Sequence, residues 1–347
     1  MRKLVITLIL LGVLIIPVNA QEFTAPAAPE GAQQYMPRES GSFLSDFWYV
    51  IKSAIADIQP SFAEASRLCL SVLAVVLLTS IVYAASSAAK TVTVLTGTIA
   101  VGVLLISPTN TLIGLGIQTV SEVNEYGKML IPVITAALAA QGGVTSSTAL
   151  YTVTTLFCTI LSALIKTLLT PLIYIYLCLS VASCSLGEEL LVKFKNTVKT
   201  FASWILRTIL YVFTGFLAIT GVISGSTDAS ALKAAKLTIS GFVPVVGGIL
   251  SDASEAVLVG AGLMKNAAGA YGVLAILAIC IGPFLRIGIQ YLLVKITGGL
   301  CEIFDTKQIS SLVQDFSGAM GIVLGMIGTE CVMLLISTVC FMRGVST

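Results

Sequence analysis

The sequence contains no histidine and very little charge. Only 10% of its 347 residues are charged, whereas 56% are hydrophobic. A typical soluble domain has about 25% charged residues, so this composition indicates a protein whose main solvent is the lipid bilayer. Without histidine, the chain lacks the usual general base, the Ser-His and Cys-His nucleophile pairs and the commonest metal ligand. The net charge of +2 gives no reason to expect nucleic-acid binding.

Catalytic and metal-binding motifs are missing as well. None of the eight cysteines forms a C-x-x-C pair, and most of them lie inside apolar runs. A thiol in such a run behaves as a small hydrophobic group and not as a nucleophile. The sequence also has no H-E-x-x-H, no Gly-x-Gly-Asp and no P-loop. We therefore expect no enzymatic activity, no metal and no cofactor.

The first 20 residues have the pattern of a cleavable secretory signal peptide. Arg2 and Lys3 form a basic start, Leu4 to Pro17 is apolar, and residues 18–20 (VNA) offer a small-residue cleavage site. The alternative is an uncleaved first span, which the short apolar run disfavours because a span needs about 20 residues.

Two extracytoplasmic segments are predicted to follow the signal peptide. Residues 21–42 are rich in proline, alanine, glycine and glutamine, which predicts a flexible linker. The stretch 43–66 is predicted to be an amphipathic helix that Pro60 ends. Its apolar face consists of Leu44, Phe47, Trp48, Ile51, Ile55 and Ile58. This face would lie on the outer membrane surface or against a partner, or it would pack on the protein's own helices.

Residues 67–347 are predicted to form an all-α polytopic membrane domain with about seven transmembrane helices. The predicted spans are 68–89, 91–107 ending at Pro108, a pair within 146–186 broken near Pro171, 201–225, 270–294 and 316–342. One long tilted helix over 146–186 is the alternative to the broken pair. Residues 129–140 are too short to span easily and predict a re-entrant half-helix. The polar loop 187–199 contains three lysines and is the best candidate for a cytoplasmic loop.

Helix-breaking residues inside apolar stretches give candidate pore positions. Pro132 lies in the predicted half-helix, and Pro244, Gly247, Gly248 and Asp252 lie in a second short apolar stretch. Irregular backbone at membrane depth occurs only inside protein or beside water. A plain interfacial turn is the alternative for the second stretch.

A spacing of 112 residues also hints at an internal duplication. It relates Pro132 to Pro244, Pro171 to Pro283, Gly187 to Gly299 and Lys195 to Lys307. Duplicated halves with broken helices are typical of secondary transporters.

Four charged residues fall inside predicted spans, where charge is costly and often functional. Lys166 and Arg207 lie near span ends and can extend to the membrane surface. Arg286 and Glu330 lie deeper, and they would either pair with each other or line a wet path.

The last span also carries Gly318, Gly321, Gly325 and Gly328 on one face. Such a face predicts close helix packing, within the chain or between copies in a homo-oligomer.

The chain resembles the stage III sporulation protein AE family. The likeness rests on residues 234–252 (AAKLTISGFVPVVGGILSD) with Lys265 and Asn266, on Gly187-Glu-Glu, and on the span that begins at Phe201. The resemblance covers roughly residues 43–343 and brings no catalytic residues with it.

The resemblance implies a subunit of a secretion-like channel complex that links mother cell and forespore and supports late forespore gene expression. The implied location is the mother-cell membrane around the forespore. The implied partners are the other stage III sporulation A proteins, including an ATPase, and stage II sporulation protein Q across the intermembrane space. The alternatives are a stand-alone secondary transporter and a membrane scaffold without conduction.

Overall fold

A computed structural model describes residues 25–37, 42–85, 90–140, 144–219, 267–304 and 307–344. Within these ranges every regular element is helical and no strand occurs, which confirms the all-α prediction. The predicted signal peptide lies outside the described residues. So do Pro244, Gly247, Gly248 and Asp252 of the second predicted broken helix.

The described ranges contain nine α-helices. They are α1 (Glu30–Gln33), α2 (Phe43–Ala56), α3 (Gln59–Ala85), α4 (Lys90–Ala140), α5 (Val144–Leu164), α6 (Thr170–Leu186), α7 (Glu189–Ile219), α8 (Ala267–Cys301) and α9 (Lys307–Gly344). A π-helical turn (Ile165–Leu169) joins α5 to α6, and a 3-10 turn (Glu302–Phe304) follows α8.

Six of these helical stretches are long and apolar enough to cross a membrane. They are Gln59–Ala85, Lys90–Ala136, Tyr151–Leu186, Glu189–Leu217, Gly269–Phe304 and Lys307–Phe341. The prediction of about seven spans counted two helices within 146–186. The structure has one continuous stretch there, and the predicted break is a π-helical turn just before Pro171. Such single-turn insertions keep a helix continuous while they shift its side chains.

Helix α4 runs for 51 residues without interruption, and Pro108 and Pro132 both lie inside it. The predicted stop at Pro108 and the predicted half-helix around Pro132 are therefore wrong. A proline in a helix removes one backbone hydrogen bond, at a cost of about 3 kcal/mol. Packing against neighbouring helices makes such prolines tolerable in membrane proteins, and α4 packs extensively along α9.

The predicted polar loop 187–199 is also wrong. Gly187 ends α6 in the left-handed conformation with φ of 72°, and α7 begins only two residues later at Glu189. Glu and Lys are good helix formers, and Glu189 and Lys193 face each other one turn apart at 3.9 Å. The charges in this stretch therefore belong to the first turns of a helix.

In two of its four pairs, both of which lie in the described residues, the 112-residue spacing does not relate positions of similar structure. Gly187 ends a helix, whereas Gly299 lies inside α8. Pro171 follows a π-helical turn, whereas Pro283 lies inside an uninterrupted helix.

Helix α9 is the centre of the bundle. In an apolar 18-residue stretch of α9, 94% of the residues are buried. The corresponding fraction is 22 to 50% in the other five spanning stretches. Helices α4, α5, α6, α7 and α8 all pack on it. The predicted glycine face lies inside the chain: a Cβ on Gly318 would be 2.7 Å from Lys199 Nζ, and one on Gly321 would be 3.3 Å from Tyr291 Cε2. Gly325 and Gly328 are buried as well.

Three helix connections gather at one end of the bundle, which we call the lysine-rich end. They are the connections between α3 and α4, α6 and α7, and α8 and α9. Ser80 Oγ donates a hydrogen bond to the carbonyl of Phe304 at 3.2 Å, and Gly102 faces Val181 and Leu312. Lysines 90, 193, 195, 199, 295 and 307 lie in the helical turns nearest this end.

The N-terminal segment packs on the bundle, so residues 25–37 do not form the predicted flexible linker. The backbone N–H of Ala28 donates to Tyr271 Oη at 3.3 Å. Tyr126 Oη donates to the carbonyl of Pro26 at 3.2 Å. Tyr35 Oη donates to Asp57 Oδ2 at 2.9 Å. These contacts tie the segment to α4, α8 and the end of α2.

The predicted helix 43–66 is divided. Helix α2 ends at Ala56, and Pro60 lies in the first turn of α3, where its missing N–H costs nothing. The side of α2 that faces the bundle is formed by Asp46, Val50 and Ala54. Much of the predicted apolar face points outward, because Leu44, Trp48 and Ile55 are each more than half exposed.

Paired glycines in α4 offer a test of the central packing. A Cβ on Gly116 would lie 2.2 Å from Val323 Cγ1 of α9, whereas a Cβ on Gly114 would meet nothing within 4 Å. Valine is stiff in a helix and cannot rotate away freely. We expect Gly116→Ala to lower the free energy of unfolding by about 1–3 kcal/mol and Gly114→Ala to leave it unchanged or raise it slightly. Thermal unfolding of both variants in lipid nanodiscs checks this, and equal midpoints would contradict the α4–α9 contact.

Candidate functional site

An ion pair is buried where α6, α7 and α9 meet, close to the lysine-rich end. Lys195 Nζ of α7 contacts Asp315 Oδ2 of α9, and the Lys195 side chain is only 3% exposed. Tyr176 Oη of α6 donates to the other carboxylate oxygen, Asp315 Oδ1, at 3.0 Å. Lys199 Nζ lies 5.8 Å from the centre of the Tyr176 ring. One carboxylate thus joins three helices.

Sequence reasoning missed this network because Lys195 falls in the predicted polar loop 187–199 and Asp315 falls just outside the predicted span 316–342. If residues 189–219 are treated as a helix, Lys195 falls on one stripe with Val198 and Ala202, which the structure shows to be buried. A lysine on the apolar stripe of an amphipathic helix is the signal for a buried partner.

Glu330 is fully buried in the middle of α9, among polar side chains of α4 and α5. Its Oε1 accepts a hydrogen bond from Asn124 Nδ2 at 3.4 Å, and the same amide donates to the carbonyl of Cys158 at 2.8 Å. Nearby, Thr154 Oγ1 donates to Ser337 Oγ at 3.0 Å. In the part of the chain that the structure describes, Glu330 Oε2 has no hydrogen-bond partner. Only one of the two carboxyl oxygens of Glu330 therefore has a hydrogen-bond donor among the described residues.

Arg286 and Glu330 do not pair with each other. Arg286 Nη2 lies 3.5 Å from Glu64 Oε2 of α3, and both side chains are largely exposed. The structure thus separates the two deep charges that the sequence offered as a pair. Lys166 and Arg207 both lie at exposed positions, in the π-helical turn and in α7.

Arg286 instead borders a cavity of about 320 Å³ between the N-terminal segment and the bundle. Tyr35 and Asp57 line it on one side, and Gln118 and Glu122 of α4 line it on the other. Burial and the hydrogen bond to Asp57 raise the pKa of Tyr35, so its hydroxyl stays a donor at neutral pH. The cavity walls therefore carry charges of both signs and a fixed donor.

No metal site emerges from the described ranges. They contain no group of three or more Cys, Asp or Glu side chains arranged to hold a metal ion. Of the predicted broken-helix positions, only Pro132 is described, and it lies at an exposed position of α4.

Comparison with known proteins gives one consistent family. A family model described as "Stage III sporulation protein AE" matches residues 38–344. A curated relative named Stage III sporulation protein AE, from Bacillus subtilis (strain 168), is 26% identical over 170 residues. That alignment covers 49% of this chain and 43% of the relative, so the chain spans less than half of the relative's length. No solved structure matches the chain.

The buried ion pair predicts that replacing Lys195 lowers stability far more than replacing its neighbour Lys193. We expect Lys195→Met to cost about 3–5 kcal/mol of stability, because it leaves the Asp315 carboxylate buried without its charge partner. Lys193→Met is the matched control, since Lys193 is 78% exposed and its contact with Glu189 is worth less than about 1 kcal/mol. Thermal unfolding in nanodiscs measures both. If adding Asp315→Leu to Lys195→Met recovers none of the loss, the ion-pair explanation fails.

The amide of Asn124 and the carboxyl of Glu330 give a second prediction. Asn124→Leu leaves Glu330 without a donor and is expected to cost about 1–3 kcal/mol. Glu330→Gln keeps an oxygen acceptor for Asn124 and removes a buried carboxyl, so we expect unchanged or higher stability. Unfolding midpoints of both variants check this. A loss in Glu330→Gln as large as that in Asn124→Leu would show that the carboxylate itself stabilises the bundle.

Proposed function

The chain belongs to the stage III sporulation protein AE family, and from this membership we propose that it is an integral membrane subunit of a sporulation-specific secretion or channel complex. The complex would link mother cell and forespore and support late forespore gene expression. The observation that carries the proposal is the extent of the family match, residues 38–344. It runs from just before α2 to the end of α9, so the matched part is the membrane bundle itself.

The packing of the bundle supports a subunit role over an enzymatic one. Several of the described polar side chains inside it are engaged with one another: Asp315 contacts Lys195 and Tyr176, and one carboxyl oxygen of Glu330 accepts from Asn124. These contacts hold helices together. We therefore propose a non-catalytic function.

The proposed complex has partners on both faces of the membrane. Lysines concentrate at one end of the bundle, and positive charge favours the cytoplasmic side. We place the lysine-rich end in the mother-cell cytoplasm, where an ATPase of the stage III A group would act. Helix α2, with its exposed Leu44, Trp48 and Ile55, would then face the intermembrane space. There it would meet the other stage III A proteins and stage II sporulation protein Q.

A stand-alone permease is the second candidate, and the cavity beside Arg286 favours it. A cavity volume of about 320 Å³ is large enough for a small solute. Its walls offer an arginine, acidic groups and the Tyr35 hydroxyl. A permease of this kind would use Arg286 directly, whereas a complex subunit would not.

The test is affinity purification of the tagged full-length chain from sporulating-cell membranes, with a fluorescent fusion to locate it. We expect enrichment around the forespore and recovery of the other stage III A proteins. We expect Arg286→Ala to retain both, because an exposed ion pair contributes at most about 1 kcal/mol. Vegetative cells expressing the same tagged chain are the control.

Two results would count against the subunit proposal. One is uniform distribution over the membrane without stage III A partners. The other is an Arg286→Ala variant that assembles normally and yet loses spore formation, which would favour the permease.

A further inference from the structure

Positive charge is in excess around the buried ion pair at the lysine-rich end. Lys195, Lys295 and Asp315 all lie within electrostatic range of Lys199, so this cluster contains three ammonium groups and one carboxylate. Both oxygens of Asp315 are already occupied, one by Lys195 and the other by Tyr176. Among the described residues, neither Lys199 nor Lys295 forms an ion pair with a carboxylate.

A tyrosine ring lies beside each of these two ammonium groups. Lys199 of α7 lies over the ring of Tyr176, which is fully buried. Lys295 of α8 donates a hydrogen bond to Tyr291 Oη at 3.1 Å, and its Nζ lies 5.4 Å from the Tyr291 ring centre. Aromatic neighbours therefore help to define the positions of both ammonium groups.

Two glycines of α9 make room for this arrangement. A Cβ on Gly318 would lie 2.7 Å from Lys199 Nζ and 3.0 Å from Tyr176 Oη. A Cβ on Gly321 would lie 3.3 Å from Tyr291 Cε2. Gly318 is not fully buried, so α9 is partly accessible from the protein surface at this position.

That surface is apolar beside Lys295. Leu292 and Ile296 of α8 are 53% and 58% exposed, and Gly299 continues the same stripe. On a helix that crosses a membrane, exposed apolar side chains contact lipid. Lys295 therefore stands where a lipid-facing stripe meets a cluster of unbalanced positive charge.

We propose that Lys199 and Lys295 bind the phosphate of an anionic phospholipid headgroup at the lysine-rich end. The phosphate would supply the negative charge that Asp315 alone does not, and it accepts hydrogen bonds from ammonium groups. The acyl chains would lie along Leu292 and Ile296, which a soluble phosphate cannot use. The proposal does not rest on the proposed role in sporulation, because it concerns the folded chain in any bilayer.

The test uses the full-length chain in nanodiscs of phosphatidylcholine containing cardiolipin or phosphatidylglycerol. Native mass spectrometry measures the anionic lipid retained as its content is varied. For Lys199→Gln with Lys295→Gln we expect retention about 30-fold weaker, since each lysine near an anionic headgroup contributes about 1 kcal/mol. The matched control is Lys193→Gln with Lys90→Gln, which removes the same charge at the same end of the bundle and should retain the lipid. Lys199→Arg with Lys295→Arg should also retain it.

Three results would overturn the proposal. The first is a wild-type chain that shows no preference for anionic lipid over phosphatidylcholine, a result that does not depend on any variant folding. The second is equal loss of lipid in the glutamine pair and in the control pair. The third is displacement of the lipid by millimolar inorganic phosphate, which would identify a soluble anion as the ligand.

Discussion

Helix α9 is almost completely enclosed by other helices, so its polar side chains depend on partners within the protein. Water is not available to satisfy such groups at membrane depth. Asp315 accepts hydrogen bonds from Lys195 of α7 and Tyr176 of α6. Glu330 accepts one from Asn124 of α4, and Ser337 accepts one from Thr154 of α5. These few polar side chains therefore link the central helix to four of the five long helices that pack on it, α4, α5, α6 and α7.

Much of the architecture follows from composition, but the positions at which the helices begin and end do not. The scarcity of charge predicts an all-α membrane protein correctly, and most predicted spans coincide with observed helices. Pro108, Pro132 and the charges after Gly187 were interpreted by local rules that apply to chains in water. In the bundle, neighbouring helices offset the local cost of each proline, and α4 continues through both. The continuation of α4 through both prolines depends on its packing partners, which a single sequence does not display.

The partners of the buried polar groups are likewise not predictable from the sequence alone. Glu330 is recognisable from sequence, because a carboxyl group deep in an apolar run is costly. Its partner is not, since Asn124 lies 206 residues away and looks unremarkable in its own segment. The sequence does not predict the Lys195–Asp315 pair, because neither residue falls inside a predicted span. Reading residues 189–219 as a helix puts Lys195 on the buried stripe, but only the tertiary structure identifies Asp315 as its partner.

The two ends of the bundle differ in chemistry, and this difference bears on orientation. Helix α3 runs toward the lysine-rich end and α9 runs away from it, so residues 25–56 and the last turn of α9 lie on the same side. With the lysine-rich end in the cytoplasm, as we propose, both would be extracytoplasmic. That assignment agrees with a predicted signal peptide that exports the N-terminal segment. It leaves an anionic lipid site facing the cytoplasmic leaflet and the polar cavity facing outward, so the two sites would meet different partners.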